Sequence, residues 1–143
     1  MPRETAEAGS PTFGSRVLDH FEHPRNVGIA ADFNRRFLEE NNPWLLKILL
    51  TLRVEEGRIR DVKFKTQSCV TTTASVSALT EMVKGKTVEE ALSITPELLS
   101  ERLGTVPPEK MYCCHLAVNT LRNALHAPVS PNTTTRTSAG GNR

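Results

Sequence analysis

Residues 48–66 constrain the fold more than any other stretch. Two apolar runs, Ile48–Val54 and Ile59–Thr66, are separated only by Glu55-Glu56-Gly57-Arg58. In the second run Ile59, Val62 and Phe64 are apolar, and Val62, Phe64 and Thr66 follow the two-residue period of a half-buried strand. Two strand-like runs joined by so short a glycine-containing link read as a β-hairpin. Pro43 suits the entry to the first strand, where no ladder donor is needed.

Helical patterns flank the hairpin. Ser15 to His23 reads as a first helix, with Val17, Leu18 and Phe21 on one side and Pro24 ending it. Phe33, Phe37 and Leu38 suit a short helix or an ordered loop. Thr71 to Lys84 places Val76, Leu79, Met82 and Val83 on one stripe, with Gly85 just past the end. Thr87-Val88-Glu89-Glu90 has the form of a capping box, and Thr95-Pro96-Glu97 that of another helix start. A last helix runs from Pro107 or Pro108 to about His126, with Met111, Cys114, Val118, Leu121 and Leu125 facing the core. The expected class is α+β: a small antiparallel β-sheet with helices packed on it. One domain is expected over 13–126, between a disordered lead (1–12) and a disordered tail (127–143).

Composition removes several functions. The net charge of +2 is scattered, and one Trp, one Tyr and five Phe make a poor base-stacking surface, so no nucleic acid is expected. The longest apolar stretch, Trp44–Leu52, is interrupted by Lys47 and Thr51, and no membrane span is expected. Three cysteines at irregular spacing argue against a disulfide framework. The first residues lack an apolar signal segment, and a cytoplasmic, reducing setting is the expectation.

The three cysteines, Cys69, Cys113 and Cys114, are the candidate metal ligands, and none precedes residue 69. Cys69 follows a strand and precedes a helix, where outward N–H groups favour a thiolate. Cys113 lies near the start of the last helix, where the same effect is weaker. No CxxC pair exists, so the spacing by itself more often means two unrelated thiols. Cys114 falls on the apolar stripe, where a buried cysteine acts as a small hydrophobe. Successive helical positions are about 100° apart, so Cys113, Cys114 and His115 do not converge on one ion in a regular helix. His20 and His23 share a face at metal-ligand spacing, although such histidines are more often surface residues. No Ser–His–Asp or paired-carboxylate arrangement can be drawn, and no enzyme activity is expected.

Four segments, in order, carry a resemblance: VLDHFEHPRNVG (Val17–Gly28), GRIRDVKFKTQSC (Gly57–Cys69), EMVKGKTVEEALSI (Glu81–Ile94) and VPPEKMYCCHLAVNTLRNAL (Val106–Leu125). Together they resemble the IscU/NifU N-terminal family of iron–sulfur cluster assembly scaffolds. The resemblance implies a scaffold that binds iron or a [2Fe–2S] cluster, takes sulfur from a cysteine desulfurase and releases the cluster with an Hsp70-type chaperone. It implies that Cys69 and Cys113 match the family's second and third cysteines, and that Cys113 is the sulfur acceptor. Trp44 falls where the family has its first cysteine, Leu45 and Leu46 where it has Gly and Asp, and Tyr112 where it has a histidine. Pro107, Pro108 and Lys110 match its chaperone-binding stretch, but Glu109 replaces a valine, which counts against chaperone docking.

A cluster of this type takes four ligands. Trp44, Leu46 and Tyr112 supply none, so a second subunit (a homo-oligomer) or small thiols would have to complete the shell. Zinc suits the same residues. Three functions follow: a scaffold with a reduced ligand set, a degenerate binding module that contacts assembly partners without building a cluster, or a sulfur-accepting or redox thiol pair.

Overall fold

The computed structural model describes residues 14–126. The lead and tail expected at 1–12 and 127–143 lie outside the described residues. Helix α1 (Ser15–Glu22) precedes a three-stranded antiparallel sheet of β1 (Arg35–Glu39), β2 (Lys47–Glu55) and β3 (Arg58–Gln67), in the order β1-β2-β3. Then follow α2 (Val70–Val83), α3 (Val88–Leu92), α4 (Pro96–Arg102), a 3-10 turn (Pro108–Lys110) and α5 (Met111–His126). The expected α+β architecture is thus present.

The hairpin turns at Glu56 and Gly57, both at positive φ (54° and 75°), as a two-residue turn matched to strand twist requires. Its register sets Leu50 opposite Phe64 and Leu52 opposite Val62. Those four side chains, with Ile48 and Ile59, form the buried face of the sheet.

The stretch expected as a helix or loop is instead the edge strand β1, with Phe37 opposite Leu50 and Leu38 opposite Leu49. Pairing with β2 decides this conformation, a tertiary override of a weak local signal. Asn34 extends the pairing: its side chain donates to Val54 O (2.8 Å) and accepts from Val54 N (2.8 Å).

Helix α2 is buried almost all round, and packs on α1, α5 and β3. Its Ser75 and Thr80 hydroxyls donate to Thr71 O and Ser77 O, which lets polar side chains sit in the interior. Helix α1 corrects two expectations. It buries Val17 and His20, while Leu18 and Phe21 remain about 40% exposed. The facing stretch of α2 offers Ser77 and Glu81, so the polar His20 goes inward: its Nδ1 hydrogen-bonds Ser77 Oγ at 2.8 Å. Burial lowers its pKa. His20 is a core residue, and His23 is exposed. The capping box at Thr87 and Glu90 and the Thr95 cap with Pro96 form as expected. No helix among the described residues is long and apolar enough to cross a membrane.

Candidate functional site

Two helix starts and one loop meet at the site. Cys69 is the residue on which α2 begins, in extended conformation at the end of β3. The Thr66, Ser68 and Thr73 hydroxyls form a chain (2.8 and 3.1 Å) that ties the strand end to the first turn of α2. Cys113 lies in the first turn of α5, directly after the 3-10 turn. The packing of α2 on α5 brings these thiols, 44 residues apart in sequence, to an Sγ–Sγ distance of 3.8 Å. Both are free thiols, and the separation is well beyond a disulfide bond.

The two thiols are not equivalent. Cys69 is half-buried and Cys113 fully buried. The Cys113 thiol donates to Cys69 and holds the Cys69 pKa down at about 4, against the opposing effect of burial. The Thr72 hydroxyl, 3.2 Å away, the Thr72 backbone N–H and the Lys110 ammonium lower it further. Cys113 is raised by the same hydrogen bond and by burial. The pair therefore carries one negative charge, on Cys69. Cys113 is fully buried and Cys69 half-buried, so Cys69 is the more accessible of the two thiols in this conformation.

A loop closes the other side. Trp44 stacks on Tyr112, with ring centroids 4.6 Å apart and planes at 16°. Tyr112 precedes Cys113, and burial and then the negative charge of the two thiols push its pKa up to about 12. Asn42 shapes the loop: its Oδ1 accepts from Trp44 N and Leu46 N, and its Nδ2 donates to Leu46 O. Leu45, at the loop tip, has φ +58° and is 85% exposed, while Leu46 points into the core. The three residues expected at altered ligand positions are thus an aromatic pair beside the thiols and one core leucine.

Cys114 faces away. It is fully buried in the hydrophobic core, with its Sγ 3.8 Å from Ser75 Oγ. His115 is exposed, on another face of α5. Pro107 and Pro108 are exposed and Lys110 is half-buried. Among the described residues, no group of three or more His, Cys, Asp or Glu side chains converges as a metal site.

The thiol geometry still suits a metal. A tetrahedral ion with metal–sulfur bonds of about 2.3 Å sets two thiolates about 3.8 Å apart. Cys69 and Cys113 are at that separation, so the described residues offer two of the four ligand positions of one tetrahedral ion and no second such pair. Sequence reasoning missed Thr72 and Asn42. The Asn42-Pro43 pair, a turn-initiating dipeptide, was the available signal for the second; Thr72 had none beyond its place one turn after Cys69.

Residues 12–132 match the family model described as the NifU-like N terminal domain. The chain is 41% identical over 113 residues to the iron–sulfur cluster assembly scaffold protein IscU 1 of Archaeoglobus fulgidus, covering 79% of this chain and 74% of that protein. It is 42% identical over 115 residues to the iron–sulfur cluster assembly scaffold protein IscU of Aquifex aeolicus, covering 79% and 73%. Its fold also matches a crystal structure of the N-terminal part of a nitrogen-fixing NifU-like protein from Brucella abortus, at TM-score 0.67 and 14% identity, over 78% of this chain and 90% of that one. With the family model spanning all of the described residues and relatives above 40% identity, the chain belongs to the NifU-like N-terminal domain family.

Proposed function

We propose that this protein is an iron–sulfur cluster assembly scaffold that carries iron, as part of a [2Fe–2S] cargo, on Cys69 and Cys113. The observation that carries the reading is the 3.8 Å separation of two thiols at two helix starts, the bite of one tetrahedral iron. Cys69 enters as a thiolate, and Cys113 loses its proton when it binds. The Thr72 N–H and hydroxyl and the Lys110 ammonium offset charge on the Cys69 sulfur. The Trp44–Tyr112 stack limits water on one side. Trp44, Leu46 and Tyr112 add no ligand, and Cys114 stays in the core. Sulfur arrives from a cysteine desulfurase and meets the half-exposed Cys69 first. Pro107 and Pro108 are available to an Hsp70-type chaperone, although the charge of Glu109 disfavours that contact.

Anaerobic reconstitution with iron and sulfide tests the reading through visible absorbance. The chromophore should fall more than tenfold in Cys69→Ala and in Cys113→Ala and stay within twofold in Cys114→Ala. A chromophore that survives loss of Cys69 overturns the reading.

A further inference from the structure

The two edges of the sheet differ in cover. On the outer edge of β3, Phe64 N donates to Asn26 O and Phe64 O accepts from Gly28 N. Ile59 N donates to Lys86 O, Ile59 O accepts from Gly85 N, and Val62 N donates to Asp61 Oδ1. The outer edge of β1 has no such cover: among the described residues β1 pairs with β2 alone. An uncovered edge offers unpaired N–H and C=O groups to another strand. Charged side chains on that edge repel most strands and admit one with the complementary order.

Strand β1 is its own complement. Run antiparallel to a copy of itself about Phe37, Arg35-Arg36-Phe37-Leu38-Glu39 sets Arg35 opposite Glu39, Arg36 opposite Leu38 and Phe37 opposite Phe37. We infer that two copies of this chain join their β1 edges in this register, making one six-stranded sheet from two three-stranded ones. Arg35, Phe37 and Glu39 share the face of Leu52, Leu50 and Ile48, so there two ion pairs flank a Phe–Phe pair. On the other face the Arg36 stem covers Leu38, which is exposed in a single copy.

Arg35 carries the choice of a second copy. Its Nε is buried without a hydrogen-bond partner, and its Nη1 reaches Asn34 O only at 3.3 Å. Buried donors of this kind ordinarily have an acceptor. The second copy's Glu39 would stand one strand spacing away, about 4.8 Å. Its Oε2 accepts from Asn42 Nδ2 at 3.1 Å, which leaves Oε1 for the guanidinium. Centring the pair on Arg36 instead sets like charges opposite, and centring it on Leu38 sets Arg35 opposite Asn41 and Phe37 opposite Glu39. Helix α5 lies beneath both β1 and β2, so its two copies would run about 10 Å apart, an ordinary helix-packing distance. The joined sheet ends at a covered β3 edge on either side, so growth stops at the dimer. Cys69 and Cys113 take no part in this contact.

The test uses the full chain, metal-free, in a chelator and a phosphine reductant, so that neither an ion nor a disulfide joins the copies. Sedimentation velocity over a concentration series should show a monomer–dimer equilibrium. Amide exchange in a peptide spanning residues 33–40 should slow as the dimer fills. Arg35→Glu and Glu39→Arg each set like charges opposite twice and should weaken the dimer by about tenfold or more. Mixed one to one, the two variants oppose glutamate to arginine at both positions and should recover the wild-type constant within about threefold. Within one strand residues 35 and 39 are about 13 Å apart, so a folding defect in either variant is not repaired by mixing. A wild-type chain that stays monomeric overturns the inference. So does a dimer indifferent to both substitutions, a mixture that fails to associate, or exchange in 33–40 that ignores concentration.

Discussion

The thiol wall and the aromatic wall of the site are built in opposite ways. Cys69 and Cys113 stand on regular helix starts, anchored by the packing of α2 on α5 and by a chain of hydroxyls. Trp44 stands on a short loop held by one asparagine, and its neighbour Leu45 is at positive φ. The thiols are close because the packing of α2 on α5 makes them close. The aromatic wall is attached to the molecule chiefly through one ring stack and the buried Leu46. A scaffold must hold a metal and later release it, and here holding and uncovering are assigned to different walls.

The largest expected effect lies within the thiol wall. Cys69 reacts as a thiolate, so its alkylation rate, measured against pH, should stay level from neutral pH down to an inflection near pH 4. Cys113→Ala removes the hydrogen bond that contributes most and should move the inflection up by several pH units. An unchanged profile would mean that the two thiols are independent. The sign of the linked stability follows. The folded pKa of Cys69 is depressed from 9.0, so its contribution is complete above that value and is lost as pH falls toward about 4. The urea midpoint of wild type should therefore approach that of Cys69→Ala as pH falls, and a widening gap would reverse the assignment.

Cys114→Ala probes the core behind that wall. It leaves a small cavity among α2 and α5 residues and should cost about 1–2 kcal/mol in urea unfolding, with Cys69 alkylation unchanged. Trp44→Ala opens the aromatic wall. The lost stack costs about 0.5–1.5 kcal/mol beyond burial, and Cys69 and Cys113 should both alkylate several-fold faster. Equal alkylation rates would show that the stack shields nothing. The smallest effect belongs to Leu45→Gly, which removes the left-handed strain from an exposed residue and should raise stability by about 1 kcal/mol. Destabilisation instead would mean that Leu45 packs in solution.

The hairpin, the capping box and the last helix were legible because their signals are local: apolar alternation, a short glycine-containing link, a hydroxyl followed by a carboxylate. Strand β1 was not, because its conformation comes from pairing with β2 across the seven-residue connection 40–46. His20 was misread for a related reason: its partner Ser77 lies 57 residues away. At the site, helix-start chemistry pointed to Cys69 and Cys113, and apolar periodicity placed Cys114 in the core. The stacking of Trp44 on Tyr112 was invisible in the sequence. It joins a loop before the hairpin to the last helix, and no pattern within either segment implies it.

Cobalt(II) titration under anaerobic conditions tests the central claim most directly, because the ion reports tetrahedral thiolate ligation in its visible and near-ultraviolet spectrum. The account predicts tetrahedral bands with thiolate charge transfer that disappear in Cys69→Ala and in Cys113→Ala and persist in Cys114→Ala. Bands that require Cys114, or that survive without Cys69, would contradict it.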